Sequence, residues 1–244
     1  RLVAPDGSVS FPSFDIAATV LDEQEPRVAC STDDQFLVVW QETAYAIEAE
    51  NISGQRVTDD GSLSGGKIAV CSMANPQLNP RLAYNPDDNE YLVVWEEGYW
   101  STTYRDIYGR RINAGTGAIV SGWLSLSWLG AESREHPAVV YNSLVDEYLV
   151  VLDYTASPGN SDVYARRVAR DGSLPGDDIA VASMSYNERR PVVAAAHDSS
   201  YLVVWEDDRN ADTLGWDIYG IPVIVHRFTG YVFNGDMGDE STPM

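Results

Sequence analysis

Phe36-Leu37-Val38-Val39-Trp40 returns as Tyr91-Leu92-Val93-Val94-Trp95, as Tyr148-Leu149-Val150-Val151-Leu152 and as Tyr201-Leu202-Val203-Val204-Trp205. The steps between these runs are 55, 57 and 53 residues. Self-similarity at such a period marks a chain built from repeated supersecondary units. The run does not alternate polar with apolar. A strand of this kind is apolar on both faces and must be covered on both.

Each run has the same neighbours. Before it lies a Pro-led strand: Pro26-Arg27-Val28-Ala29, Pro80-Arg81-Leu82-Ala83, Pro137-Ala138-Val139-Val140 and Pro191-Val192-Val193-Ala194. After a polar loop comes a third element: Asn51-Ile52-Ser53-Gly54, Asp106-Ile107-Tyr108-Gly109, Asp162-Val163-Tyr164-Ala165 and Asp217-Ile218-Tyr219-Gly220. Turns follow at Asp60-Gly61-Ser62, Gly115-Thr116-Gly117 and Asp171-Gly172-Ser173, where glycine accepts positive φ. Short apolar strands such as Ile68-Ala69-Val70 and Ile179-Ala180-Val181 close the units. One unit therefore reads as four antiparallel strands. Stacking such sheets face to face around an axis covers both faces of the second strand, which is the β-propeller architecture.

The expected fold is thus all-β: a β-propeller of four blades, each of four antiparallel strands. The 244 residues form a single domain, with units at about 26–79, 80–136, 137–190 and 191–240. Arg1-Leu2-Val3-Ala4-Pro5-Asp6-Gly7-Ser8 matches Arg167-Val168-Ala169-Arg170-Asp171-Gly172-Ser173, the later part of a unit. Residues 1–25 are therefore expected to supply a closing outer strand, within 1–20, and a linker. The alternative is that His226-Arg227-Phe228-Thr229-Gly230-Tyr231-Val232 closes the last unit, with 1–20 left from a preceding blade in a longer precursor. The first residue is Arg1 and not Met, which raises the same expectation of an upstream segment.

Trp205-Glu206-Asp207-Asp208-Arg209 followed by Asp217-Ile218-Tyr219 resembles the repeats of TolB-type, WD40-like propellers. The fuller unit, with Tyr-Leu-Val-Val-Trp and Asp-Ile-Tyr-Gly, resembles tandem propeller repeats of secreted and cell-surface microbial proteins. The resemblance implies the fold and an extracellular or cell-surface interaction platform. It does not imply a TolB role in envelope transport, because those propellers have more blades.

Composition narrows the partners. Lys and Arg number 16 against 37 Asp and Glu, a net charge of -21 with a pI near 4.2. Nucleic-acid binding through a basic face is excluded. Docking on anionic lipid is disfavoured, and no apolar run is long enough for a helical membrane span. The 44% hydrophobic fraction provides a core, so the acidity belongs to a folded surface. The partner is expected to be a protein or glycan, neutral or cationic, and the chain can be part of a larger assembly.

Candidate binding residues lie on loops of one face: Tyr99, Trp100, Tyr104, Trp128, Tyr186 and Trp216, with Glu97 and Asp207 beside them. Exposed rings there could stack on sugars or anchor a protein, and the carboxylates could accept hydroxyl or cationic groups. Asp208, Asn210, Asp212 and Asp217 have oxygen ligands at alternating positions around Gly215, a spacing compatible with Ca²⁺. The alternative for this loop is a solvated acidic surface. Enzyme signals are thin. His136, His197 and His226 show no metal-ligand spacing, there is no Gly-x-Ser-x-Gly or phosphate loop, and the carboxylates after the second strands read as partners of the repeated Arg56, Arg110 and Arg166. The leading expectation is a non-catalytic binding or scaffold propeller. The alternative is a polysaccharide-active enzyme or lectin using the same aromatic, acidic face. Cys30 and Cys71 are expected as buried free thiols, because the blade separates them by more than a disulfide spans. Asn51-Ile52-Ser53 is a sequon at a strand start.

Overall fold

The structure is a computed structural model and describes residues 6–7, 13–44, 49–99, 104–127, 132–157, 159–210 and 215–225. These residues are all-β, with no helix among them. The first sheet contains β1 (Asp22–Cys30), β2 (Gln35–Ala44), β3 (Ala49–Thr58) and β4 (Leu63–Cys71). The second contains β5 (Gln77–Asn85), β6 (Glu90–Gly98), β7 (Arg105–Asn113) and β8 (Leu124–Ser125). The third contains β9 (Ser133–Asn142), β10 (Glu147–Ser157), β11 (Asn160–Ala169) and β12 (Ile179–Ala182). The fourth contains β13 (Glu188–Ala195), β14 (Ser200–Asp207) and β15 (Asp217–Ile224). Within each sheet the strands lie in sequence order, all antiparallel.

Three apolar cores fill the spaces between successive sheets. Leu37 and Val39 meet Tyr91, Val93 and Trp95 in the first. Leu92 and Val94 meet Tyr148, Val150 and Leu152 in the second. Leu149 and Val151 meet Tyr201, Val203 and Trp205 in the third. β6 and β10 thus send one side to the previous sheet and the other to the next, as their non-alternating sequence requires. The first strands pack in turn, β1 on β5, β5 on β9 and β9 on β13, which is the arrangement of blades about an axis. Among the described residues no comparable packing joins β13 to β1.

The two ends of this series are therefore unlike its middle. β6 is buried along its whole length, whereas β14, nearly the same sequence, alternates. Leu92 and Leu149 are fully buried, but Leu202 is 52% exposed. Val192, Ile218 and Ile224 lie exposed on the same side of the fourth sheet. That sheet has three strands among the described residues. The closing strand expected from 1–20 falls partly on 1–5 and 8–12, outside the described residues, and residues 13–20 carry no strand. Phe14 nevertheless takes a repeat position. Its ring lies 3.0 Å from where a Cβ would stand on Gly61, as Ile68 does at Gly117 (3.0 Å) and Leu124 at Gly172 (3.2 Å). Residues about Phe14 therefore occupy, over the first sheet, the place that the fourth strand of a preceding unit takes elsewhere. The three turn glycines have φ of 84°, 74° and 89°, so the expected turns are present.

The first strands begin before their prolines, not at them. Glu25, Asn79, His136 and Arg190 each precede a proline and have φ of 50–52°, in the left-handed region. The strand register shifts at each of these points. A proline cannot donate to the ladder, so it sits at a bulge and the strand continues past it. Three of these four bulges also latch two sheets. Asn79 N–H donates to Gln41 Oε1 at 3.1 Å, His136 N–H to Glu96 Oε1 at 2.8 Å and Arg190 N–H to Asp153 Oδ2 at 3.4 Å. The residue that follows each second strand's repeated run serves the latch, a carboxylate at Glu96 and Asp153 and an amide at Gln41.

Both cysteines are free, but only Cys71 is buried; Cys30 is exposed. Cys30 lies on β1, whose outward side no full sheet covers. Burial pushes the Cys71 thiol up to about 12. Asn51 of the sequon lies within β3 and pairs with Glu42 across the ladder.

Candidate binding site

Three of the four units share a local device at the loop end of the second strand. Trp40 Nε1 donates to Glu42 Oε2 at 3.2 Å, Trp95 Nε1 to Glu97 Oε2 at 3.4 Å and Trp205 Nε1 to Asp207 Oδ2 at 3.2 Å. In a strand, residues two apart point to the same side, so ring and carboxylate meet, against the previous sheet for Trp95 and Trp205 and beside Phe14 and its neighbours for Trp40. A buried indole N–H finds its acceptor and a buried carboxylate finds a donor. Glu97 also accepts from Gln77 Nε2 at 3.3 Å, and burial raises its pKa. Asp207 is fully buried. Burial opposes its charge, but Arg209, donating at 2.8 and 2.5 Å, holds its pKa below the usual value.

The third unit breaks this pattern. Leu152 stands where the others have Trp, and Tyr154 stands where they have Glu or Asp. The smaller Leu152 leaves room between the second and third sheets, and a cavity of about 220 Å³ opens there. It is lined by Ser127, Arg134, Leu152, Tyr154, Tyr164 and Asp178. The Tyr154 and Tyr164 rings meet edge to face, with centroids 5.6 Å apart, and the Arg134 guanidinium lies 5.0 Å from the Tyr154 ring centre. Arg134 also pairs with Asp106, N to O 3.5 Å, and Ser127 donates to the same carboxylate at 3.3 Å. Burial raises the Asp106 pKa. Asp178 pairs with Arg166 at 3.1 Å. The cavity thus offers two ring faces, a cation, a carboxylate and a hydroxyl within one groove. Such a mixture orients a polar ligand that also carries apolar surface.

The residues named from the sequence are distributed differently. Trp100, Trp128 and Asp212 lie outside the described residues. The Tyr99 hydroxyl donates to Asp106 Oδ2 at 3.0 Å, which places it behind the groove. Tyr104 and Tyr186 are exposed. Trp216 is exposed on one side, with the Arg189 guanidinium 3.6 Å from its ring centre on the other. Glu97 and Asp207 face indoles and not solvent. In the acidic loop, the Asp208 carboxylate accepts from Asn187 N–H (2.7 Å) and Nδ2 (2.6 Å), and Asn210 Nδ2 donates to Asp217 Oδ2 at 2.8 Å. Among the described residues no three or more His, Cys, Asp or Glu side chains are arranged to hold a metal ion. The sequence reading passed over Tyr154, Tyr164, Arg134 and Asp178. The available signal was Leu152, the one departure from Trp in the repeated run. Trp123 was also missed: it is 40% exposed, under Arg110 at 4.0 Å and edge-on to Trp95.

No protein-family model and no curated protein matches the chain. Solved structures do. A microbial sialidase aligns with a TM-score of 0.61 at 9% identity, over 82% of this chain and 44% of that one. An endo-arabinase from Bacteroides thetaiotaomicron aligns at 0.56 and 11%, over 82% and 75%. A thermostable family-43 glycoside hydrolase aligns at 0.55 and 9%, over 84% and 72%. The likeness establishes the β-propeller fold. It is to propellers of the glycosidase kind and does not support the TolB/WD40-type assignment that the repeat pattern invited.

Proposed function

We propose that the protein is a carbohydrate-active propeller that seats a glycan in the groove between its second and third sheets. The observation that carries this reading is the exchange of the Trp–carboxylate pair for Leu152 and Tyr154, which opens a cavity at one point of an otherwise repeated structure. Sugar rings present apolar C–H faces and hydroxyl edges. Tyr154 and Tyr164 suit the faces, while Arg134, Asp178 and Ser127 suit the hydroxyls. The glycosidase propellers that share the fold support a glycan over a protein as ligand. The acidic surface favours a neutral or cationic glycan, met outside the cell or at its surface.

The test is a glycan array followed by calorimetry. Tyr154→Ala is expected to weaken binding roughly tenfold or more. The double variant Leu152→Trp, Tyr154→Glu restores the pattern of the other units, and is expected to fold normally and not to bind. Binding that survives this double variant would move the site elsewhere, and a wild type that binds no glycan would end the reading. A hydrolytic role is favoured by one further feature. Asp106, directly behind Ser127 and Arg134, has its pKa raised by burial, the direction a general acid needs. Release of reducing ends by wild type, lost in Asp106→Asn with glycan binding retained, is the outcome that separates an enzyme from a lectin.

A further inference from the structure

The groove between the third and fourth sheets differs from the one before it by a reversal of charge. Between the second and third sheets, Asp106 at the head of β7 meets the Arg134 guanidinium and the Ser127 hydroxyl. One unit on, strand register places Asp162 where Asp106 stands, Ala182 where Ser127 stands and Glu188 where Arg134 stands. Both donors are gone, one replaced by a methyl and the other by a second carboxylate. In the first groove the same two positions hold the neutral pair Asn51 and Gln77.

The consequence is local. Asp162 Oδ1 and Glu188 Oε1 are buried and have no hydrogen-bond partner among the described residues. Glu188 is 0% exposed and lies within the field of both Asp162 and Asp207. Its other oxygen accepts the Met184 N–H at 3.3 Å. The nearby cation, Arg209, is turned to Asp207. A buried carboxylate and a half-buried one within each other's field, with the Arg209 cation turned to Asp207, are strongly unfavourable when both are ionised.

We infer that a divalent hard cation of the Ca²⁺ type clamps the third sheet to the fourth, bound by Asp162 and Glu188 where the Arg134 guanidinium stands one groove earlier. A charge of two neutralises both carboxylates. Two side chains leave most of the shell to other oxygens, which suits Ca²⁺, with its six to eight flexible oxygen ligands, better than Mg²⁺. The Met184 backbone, whose N–H reaches Glu188, and water can supply further oxygens. This inference is independent of the glycan site and lies in a different groove.

The test uses the full chain stripped with EDTA. Thermal melting is followed on adding CaCl₂, with MgCl₂ and KCl at matched ionic strength as controls. Calcium is expected to raise the melting temperature of wild type by several degrees and to give one site by calorimetry, by mass action on the folded state. Glu188→Gln and Asp162→Asn should each weaken calcium affinity by tenfold or more. Glu188→Arg rebuilds the arrangement of the preceding groove. It should melt in EDTA near the calcium-loaded wild type and no longer respond to calcium. Asp208→Asn, in the neighbouring acidic loop, should leave the response intact. A wild type that melts identically in EDTA and calcium overturns the inference. So does a calcium response that persists in both Glu188→Gln and Asp162→Asn, or one abolished by Asp208→Asn alone.

Discussion

His136 joins two kinds of contact in one residue. Its backbone N–H donates to Glu96 of the second sheet, while its imidazole Nδ1 lies 3.0 and 3.1 Å from the Asp153 carboxylate of the third. The Asp153 hydrogen bond raises the imidazole pKa, against the opposing effect of burial. A histidine whose folded pKa is raised contributes stability that is complete below its unfolded value near 6.5 and is lost as pH rises through the folded value. The unfolding free energy is therefore expected to fall as pH rises above about 6.5. The side chain is 34% exposed, so screening keeps the fall under about 1 kcal/mol. Denaturant titrations across that range should show the slope in wild type and a flat line in His136→Gln; an unchanged slope in the variant would assign it to other groups. Asp106, Asp162, Glu97 and Glu188, whose pKa values burial also raises, lose stability on the same sign of pH change but in a lower window, as pH climbs through the carboxylate range. The histidine was visible in the sequence only as a lone His before a proline. Its role depends on a positive φ and on a register that brings Asp153 opposite, and neither is written in spacing.

At the scale of the element, the second strand was legible where a sheet lies on both sides of it. Five consecutive apolar residues repeated four times leave no face for water, and the structure buries β6 throughout. The turns were legible because glycine at positive φ has few substitutes. The carboxylates that follow these runs were read as partners of the repeated Arg56, Arg110 and Arg166, which does not hold: Arg56 and Arg110 donate to backbone carbonyls, Arg166 pairs with Asp178, and Glu96 pairs with Arg105 at 2.5 Å. The larger role is the latch to the next bulge, hidden because it joins residues about 40 positions apart in chain and in different sheets. Its strength should differ from unit to unit. Glu96 is fully buried and accepts from His136 N–H, Asn79 Nδ2 and Arg105. Gln41 accepts from Asn79 N–H through a neutral amide. Glu96→Ala strands several donors and is expected to cost about 2–4 kcal/mol, against roughly 1 kcal/mol for Gln41→Ala. Equilibrium unfolding of the two variants checks the ranking, and equal costs would mean that the latch carries little. The glycan groove was missed for a related reason. Leu152 looks like a conservative exchange for Trp until the indole's absence is set beside Tyr154, two residues on and on the same side.

For the whole molecule, the repeat encodes sheets that each expect a neighbour on both sides, yet the described sheets at the two ends have a full sheet on one side only. The first sheet presents Val28 at 61% exposure, with Phe14 and its neighbours lying over Val38 and Trp40. The fourth presents Leu202, Val192, Ile218 and Ile224. Every internal junction pairs a Leu–Val face with an aromatic–Val–aromatic or aromatic–Val–Leu face, so the open Leu202–Val204 side has the composition of a junction face. This yields a comparison between two residues of identical local sequence. Leu92→Ala removes a side chain from a filled core and is expected to cost about 2–5 kcal/mol. Leu202→Ala removes a half-exposed one and should cost less than about 1 kcal/mol. Chemical denaturation of both variants, at several protein concentrations, measures the difference. A cost for Leu202→Ala as large as that for Leu92→Ala would mean that the outward side of the fourth sheet is covered in solution. If that cost then grew with protein concentration, a second copy would be the cover. If it did not, the cover would come from the chain's own first sheet or termini, and the ring would be closed.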